Sequence, residues 1–151
     1  MKVREIMTKQ VTSISPEISV KEALELLQEK QISGLPVIDD ENRLVGMLTE
    51  KEALSYILPS YIEKVGRFIY EENPKSTKKK LLELSKMKVK DLMRKEVVTT
   101  TEDTTLCEVA RIMLTQKVRR IPVLDKRGQI VGILARGDVL SALTKEVEIE
   151  K

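Results

Sequence analysis

Apolar positions along this chain follow two rhythms, and each rhythm occurs twice. Val20, Ala23, Leu24 and Leu27 fall at i, i+3, i+4 and i+7, as do Leu106, Val109, Ala110 and Met113. This spacing predicts one helix in each place with a single apolar stripe. Both helices open on a capping-box sequence, Ser19 with Glu22 and Thr105 with Glu108, in which hydroxyl and carboxylate satisfy opposite orphan amides. The stretches VTSIS and VVTTT precede them and read as extended. Two near-continuous apolar runs follow, LPVID with RLVGML and IPVLD with QIVGIL, joined by DEN and KRG. They predict short buried strands linked at hairpin length. A last helix opens at EKEALSYIL and at GDVLSALT.

A shift of 86 residues, without a gap, superposes these blocks. Val3, Met7, Lys9, Val11, Glu22, Pro36, Val37, Asp39, Val45, Gly46, Leu48, Leu54 and Ser55 each meet an identical residue. The chain is therefore a tandem pair of one strand-helix-strand-strand-helix unit, in residues 1–58 and 88–146. Such a unit is too small to bury its own sheet, so the expected partner of each sheet is its copy. Gly46 and Gly132, inside strands, are expected to serve close backbone packing. Residues 59–87 join the repeats. Pro59 and Pro74 break this segment, and Tyr56, Tyr61, Phe68 and Tyr70 lie in it or at its edge with Ile57, Ile62, Val65 and Ile69. Anchors so concentrated either cover a core edge or form a subunit contact.

Composition narrows the chemistry. The 151 residues are 41% hydrophobic, enough for a core, and contain no histidine and one cysteine. A Ser/His or Cys/His nucleophile pair is impossible and a zinc cluster lacks ligands, so the expectation is a protein without catalytic residues, metal or required cofactor. Cys107 reads as a helix-surface residue. No apolar run approaches the roughly 18 residues of a membrane span, and MKVREIMTKQ lacks a secretory signal pattern, which predicts a cytoplasmic protein with no membrane partner. The net charge of +3 sits on a surface of mixed sign. Lysine and arginine cluster only from Lys75 to Lys95. A solvated face is the plainer reading of that segment, and a nucleic-acid-associated or purely dimerising scaffold is the alternative.

The turns that end the apolar runs, VGMLTEKE and VGILARGD, hold the candidate site. Glu52 and Asp138 occupy the first turn of a helix, where a carboxylate serves either as a cap or as a ligand. As a ligand it accepts two hydrogen bonds from a ribose diol, while the free amides favour phosphate and arginine forks match its oxygens.

The doubled string of V-x-x-[IL]-M, S/T-x-x-E, P-V-[IL]-D and V-G-[IM]-L-x-x-x-[DE] resembles the CBS domain, named after cystathionine beta-synthase, and two in tandem resemble a Bateman module. The resemblance covers nearly the whole chain and implies an α/β (α+β) fold of two β-α-β-β-α units, packed sheet to sheet with pseudo-twofold symmetry. It implies a regulatory module that binds AMP, ADP, ATP or S-adenosylmethionine in clefts between the repeats. Such a module passes a conformational change to a separate effector protein, commonly as a homodimer. Carried onto this sequence, the first-choice cleft has Asp138 for ribose, Ile133 as a wall, Arg136 near phosphate, and Lys9, Val11, Ser33, Gly34 and Pro36 around the base. Ala135 stands there where the family pattern has a hydroxyl. The second cleft has Thr49 and Met47, with Val97, Val118, Arg119, Arg120 and Pro122 from the other repeat. It departs from the pattern at Glu52, one methylene longer than aspartate.

Overall fold

The computed structural model describes residues 1–58 and 74–149. In chain order its elements are α1 (Val3–Ile6), α2 (Val20–Lys30), β1 (Gly34–Ile38), β2 (Leu44–Thr49), α3 (Glu50–Ile57), α4 (Pro74–Lys86), α5 (Val89–Leu92), β3 (Thr100–Thr101), α6 (Leu106–Gln116), β4 (Arg120–Leu124), β5 (Ile130–Ala135) and α7 (Arg136–Ile149). The capped helices form where the spacing places them: Ser19 Oγ accepts the Glu22 amide at 3.1 Å and Thr105 Oγ1 accepts the Glu108 amide at 3.3 Å. Both end on a left-handed residue, Gln31 at φ 53° and Lys117 at φ 54°.

These elements gather into two compact units that do not coincide with the sequence repeats. Unit one comprises residues 13–38 and 45–95, and unit two comprises 1–12, 39–44 and 96–151. The opening segment of each repeat is thus lodged in the unit that holds the other repeat's helices.

In unit two the sheet order is β3-β4-β5. β4 and β5 are antiparallel, with Arg120 opposite Ala135 and Pro122 opposite Ile133, and β3 runs parallel to β4. The core contains Leu106, Val109, Met113, Ile121, Val123, Leu134 and Val139, and it also contains Val3 from α1. The amides of Val3 and Arg4 donate to Thr104 O and Glu102 O at 2.9 and 3.1 Å, and Arg4 pairs with Asp103. Thr8 and Ile133 exchange two backbone hydrogen bonds, each 2.9 Å. The hairpin turns are shaped by aspartate: Asp39 Oδ1 accepts from the amides of Glu41 and Arg43, and Asp125 Oδ1 from those of Arg127 and Gln129.

Unit one repeats the plan. Its core contains Ile14, Ala23, Leu27, Leu35, Val37 and Leu48, completed by Val89 from α5. Met47 and Arg94 exchange two backbone hydrogen bonds of 2.9 Å each. A satellite cluster joins Val20, Ala53 and Leu84, with Tyr56 and Ile57 against it. Tyr56 Oη donates to Glu83 at 3.0 Å, and Lys80 Nζ lies 5.8 Å over the Tyr56 ring. Tyr56 and Ile57 therefore cover a core edge. Tyr61, Ile62, Val65, Phe68, Ile69 and Tyr70 lie outside the described residues.

The extended stretches are shorter as strands than their β-branched residues predict. VVTTT contributes only β3, and VTSIS makes a single bridge, Ile14 to Val37. The neighbouring strands carry Pro36 and Pro122, which have no N–H to give. Ile14 donates to Pro36 O and accepts from the amide of Ile38, the two bonds of the parallel bridge to Val37.

The strand glycines pack closely, as expected. A Cβ on Gly46 would sit 2.7 Å from Met93 Sδ and 2.9 Å from Arg94 O, and one on Gly132 would sit 2.5 Å from Met7 Sδ and 3.2 Å from Thr8 O. At Gly46 a backbone carbonyl stands in the way as well as the Met93 thioether, whereas at Gly132 the obstacle is chiefly a flexible thioether. Gly46→Ala should therefore cost about 1–3 kcal/mol, the range for overpacking, and Gly132→Ala clearly less, as read from urea unfolding of the two variants.

Glu17 accepts from Lys88 and Lys90 at 3.0 and 3.2 Å. The Lys88 hydrogen bond, followed by that of Lys90, holds its carboxyl below the usual carboxylate range. A depressed folded-state pKa contributes stability above the unfolded pKa, and this contribution is lost as pH falls through the folded one. At low salt Glu17→Gln should slightly flatten the acid limb of the stability profile, and at 1 M salt wild type and variant should coincide.

Candidate functional site

Each apolar run ends where a strand passes directly into a helix, so free helix amides lie at the strand's end. At the second-repeat turn, Asp138 folds back and its Oδ2 accepts the Ala135 amide at 3.0 Å. At the first-repeat turn, Glu52 Oε2 accepts the Thr49 amide at 2.9 Å and also the Thr49 hydroxyl. Both carboxylates are half-buried caps, each through one oxygen. The other oxygen of each has no hydrogen-bond partner among the described residues. Cap and ligand are thus compatible roles, and the longer Glu52 side chain reaches the same amide as Asp138 while engaging a hydroxyl that Ala135 lacks.

Unit two holds most of the residues named above, from both predicted clefts. Ile133 and Ala135 lie on β5, opposite Pro122 and Arg120. The Arg136 amide donates to Arg119 O at 2.9 Å, and its guanidinium reaches Val118 O at 3.5 Å. Lys9, exposed, and Val11 and Val97, half-buried, belong to the same unit. Arg119 is exposed, Arg120 half-buried and Pro122 buried. Unit one holds Met47, Thr49 and Glu52 together with Ser33, Gly34 and Pro36: the Glu50 amide donates to Ser33 O at 3.1 Å, and a Cβ on Gly34 would lie 3.0 Å from Thr49 Cγ2.

Within unit two, Val118, Arg119 and Arg120 adjoin Ala135 and Arg136, and within unit one Ser33 adjoins Glu50 and Gly34 adjoins Thr49. Strand register sets the unit-two neighbours, with Arg120 opposite Ala135 beyond a register shift at Val123 and Leu124.

Two further features were not read from sequence. A cavity of about 380 Å³ in unit two is lined by Glu5, Ile6, Asp138, Ser141, Ala142 and Lys145, so Asp138 borders open space beside α1. Apolar grooves also recur at equivalent positions: Leu24, Leu27, Ala53, Leu54 and Ile57 in unit one, and Ala110, Met113, Val139, Leu140 and Leu143 in unit two. Leu54, Leu114 and Leu140 are 58%, 80% and 60% exposed.

The basic segment is not one open stripe. Lys80 is engaged with Tyr56, and Lys88 and Lys90 with Glu17, whereas Lys78, Lys79, Lys86, Arg94 and Lys95 have no described side-chain partner. Cys107 is exposed on α6. Among the described residues no group of three His, Cys, Asp or Glu side chains is placed to hold a metal, and no helix is long and apolar enough to cross a membrane.

Two linked strand-to-helix turns, each completed by an exchanged opening segment, define a tandem CBS pair. The CBS-domain family model matches residues 3–59 and again 89–145, and the chain belongs to that family. It is 37% identical over 148 residues to the chloroplastic CBS domain-containing protein CBSX1 of Arabidopsis thaliana, covering 93% of this chain. The chain spans 63% and 57% of the lengths of CBSX1 and CBSX2. The crystal structure of CBSX2 in complex with AMP aligns with a TM-score of 0.74 at 33% identity, over 99% of this chain and 98% of that one. The fold is also that of the CBS pair of MJ0100 from a complex with 5-methylthioadenosine and S-adenosyl-L-methionine, with a TM-score of 0.70 at 23% identity over 97% and 98% of the chains.

Because both carboxylates cap helices, each should matter to the unliganded protein. Asp138→Ala is expected to lower stability by about 1 kcal/mol and Glu52→Ala by more, since it loses two hydrogen bonds. Denaturant unfolding without ligand measures both.

Proposed function

We propose that this CBS pair is a regulatory sensor that binds an adenosine-containing ligand (AMP, ADP, ATP or S-adenosylmethionine) and signals to a separate effector protein without catalysing a reaction. The observation that carries the reading is the Asp138 turn. One carboxylate oxygen is committed to the helix cap and the other is left for a ribose hydroxyl, beside helix amides and the arginines of the adjoining strand. The AMP complex of CBSX2, a relative at 33% identity over nearly the full chain, supports that ligand class. Lys9, Val11 and Ile133 flank the base in this reading, and the Thr49 and Glu52 turn ranks second. Signalling needs only different affinities for two arrangements of the protein.

The repeats act as 1–58 and 88–146, joined by 59–87, and the protein works in the cytoplasm as a homodimer. Its exposed Leu54, Leu114 and Leu140 supply apolar surface for the dimer. The nucleic-acid alternative is less favoured because Lys80, Lys88 and Lys90 already have partners within unit one.

A thermal-shift and calorimetry panel of AMP, ADP, ATP and S-adenosylmethionine, with an adenine-free control, tests this. A ligand at a hundred times its Kd adds about 2.7 kcal/mol, a rise of roughly 5–10 °C for a chain of this length. Wild type should show that rise with at least one adenosine ligand and Asp138→Ala should not, each compared with its own unliganded melting point. No shift at millimolar concentration, or an undiminished shift in Asp138→Ala, would refute the reading.

A further inference from the structure

The apolar grooves of the two units are one groove built twice. Each residue that lines the first, between α2 and α3, has its equivalent 86 residues further on in the second, between α6 and α7. The floors are buried, Leu27 and Ala53 in unit one and Met113 and Val139 in unit two, while Leu54 and Leu140 stand 58% and 60% exposed at the walls. With volumes of about 240 and 200 Å³, both grooves leave apolar surface in water that a partner can cover.

Charge separates them. Glu50 lines the first groove, and its equivalent at the second is Arg136. One turn before the lining residue Gln28 stands Glu25 on α2, and one turn before the lining residue Leu114 stands its equivalent, Arg111, on α6. All four charged residues are exposed, and none of them has an ion-pair partner among the described residues. Arg136 reaches only the Val118 carbonyl, at 3.5 Å. The wider surface has the same bias: α2 with α3 carries five acids against three lysines, whereas α6 with residues 136–143 of α7 carries two acids against two arginines.

We propose that this chain self-associates through unlike faces, the acid-rimmed groove of unit one in one copy seating on the arginine-rimmed groove of unit two in another. The inference rests on the homodimer reading above and adds to it which face meets which, with Glu25, Glu50, Arg111 and Arg136 as the residues that decide. The apolar walls would pack in either arrangement. Like faces would bring carboxylate to carboxylate and guanidinium to guanidinium, whereas unlike faces bring every one of these charges to its opposite. A twofold axis makes the contact twice, since the groove that one copy offers is the groove that the other receives. A foreign partner would have to supply both an acidic and a basic apolar face, and a second copy already carries them.

The test is sedimentation velocity over a concentration series on the full chain, with the variants Glu25→Arg/Glu50→Arg and Arg111→Glu/Arg136→Glu and the fourfold exchange that carries both. Each two-residue variant should weaken the dimer about tenfold or more, since like charge then meets like at every contact. An equimolar mixture of the two, and the fourfold exchange alone, should dimerise within about threefold of wild type, because both restore opposite charges across the contact. That recovery separates lost complementarity from misfolding. Raising sodium chloride from about 0.05 to about 0.5 M should weaken the wild-type dimer and tighten each two-residue variant, as screening removes attraction from one and repulsion from the other. A wild-type dimer that tightens with salt, two-residue variants that dimerise as well as wild type, or a mixture that does not recover would overturn the inference and leave the homodimer reading standing. A wild-type chain that stays monomeric at millimolar concentration would bring down both.

Discussion

A stretch of backbone laid across a strand glycine is the contact on which the rest of this structure depends. Thr8 pairs with Ile133 over Gly132, and Arg94 pairs with Met47 over Gly46, each through two backbone hydrogen bonds. Any side chain at either glycine meets sulfur or a carbonyl at once. The segments so anchored carry Val3 and Val89, both fully buried, into cores otherwise made by the other repeat. Burying such a side chain stabilises by roughly 1.5–3 kcal/mol, but the topological effect is larger. Neither repeat contains the whole of its own core.

The same contact positions the candidate site. Pairing with Thr8 fixes Ile133 on one side, and the hairpin with β4 fixes it on the other, so the end of β5 is held twice. The helix that follows starts at a determined point, with Asp138 in its first turn. A carboxylate half-committed to a cap is already oriented before any ligand arrives, which lowers the cost of ordering it on binding.

Much of this was legible in the sequence, because the signals are local or repeated. The capping boxes, the apolar stripes of α2 and α6 and the hairpins each follow from spacing within about ten residues, and the exact offset of the repeat fixed their correspondence. Close packing at Gly46 and Gly132 was legible as a glycine inside an otherwise bulky strand. What packs there was not, because Met7 and Met93 are adjacent only in three dimensions. The exchange of opening segments escaped for the same reason: VREIM and VKDLM are so alike that pattern cannot assign either to a core. That Arg119 and Arg120 lie beside the end of β5 was legible from hairpin spacing, but the register shift at Val123 and Leu124 that sets Arg120 opposite Ala135 was not, and neither was the capture of the Thr49 hydroxyl by Glu52.

The central claim is that each core is completed by the other repeat's opening segment, and cutting the chain tests it most directly. Residues 1–72 and 73–151 would be produced as separate polypeptides, and the unfolding of each alone would be compared with that of an equimolar mixture. Each fragment lacks a segment of both units, so the account predicts no cooperative transition for either alone and a single concentration-dependent transition for the mixture. If each fragment alone unfolds cooperatively, with a midpoint close to that of the intact chain, the repeats are self-sufficient and the account is wrong.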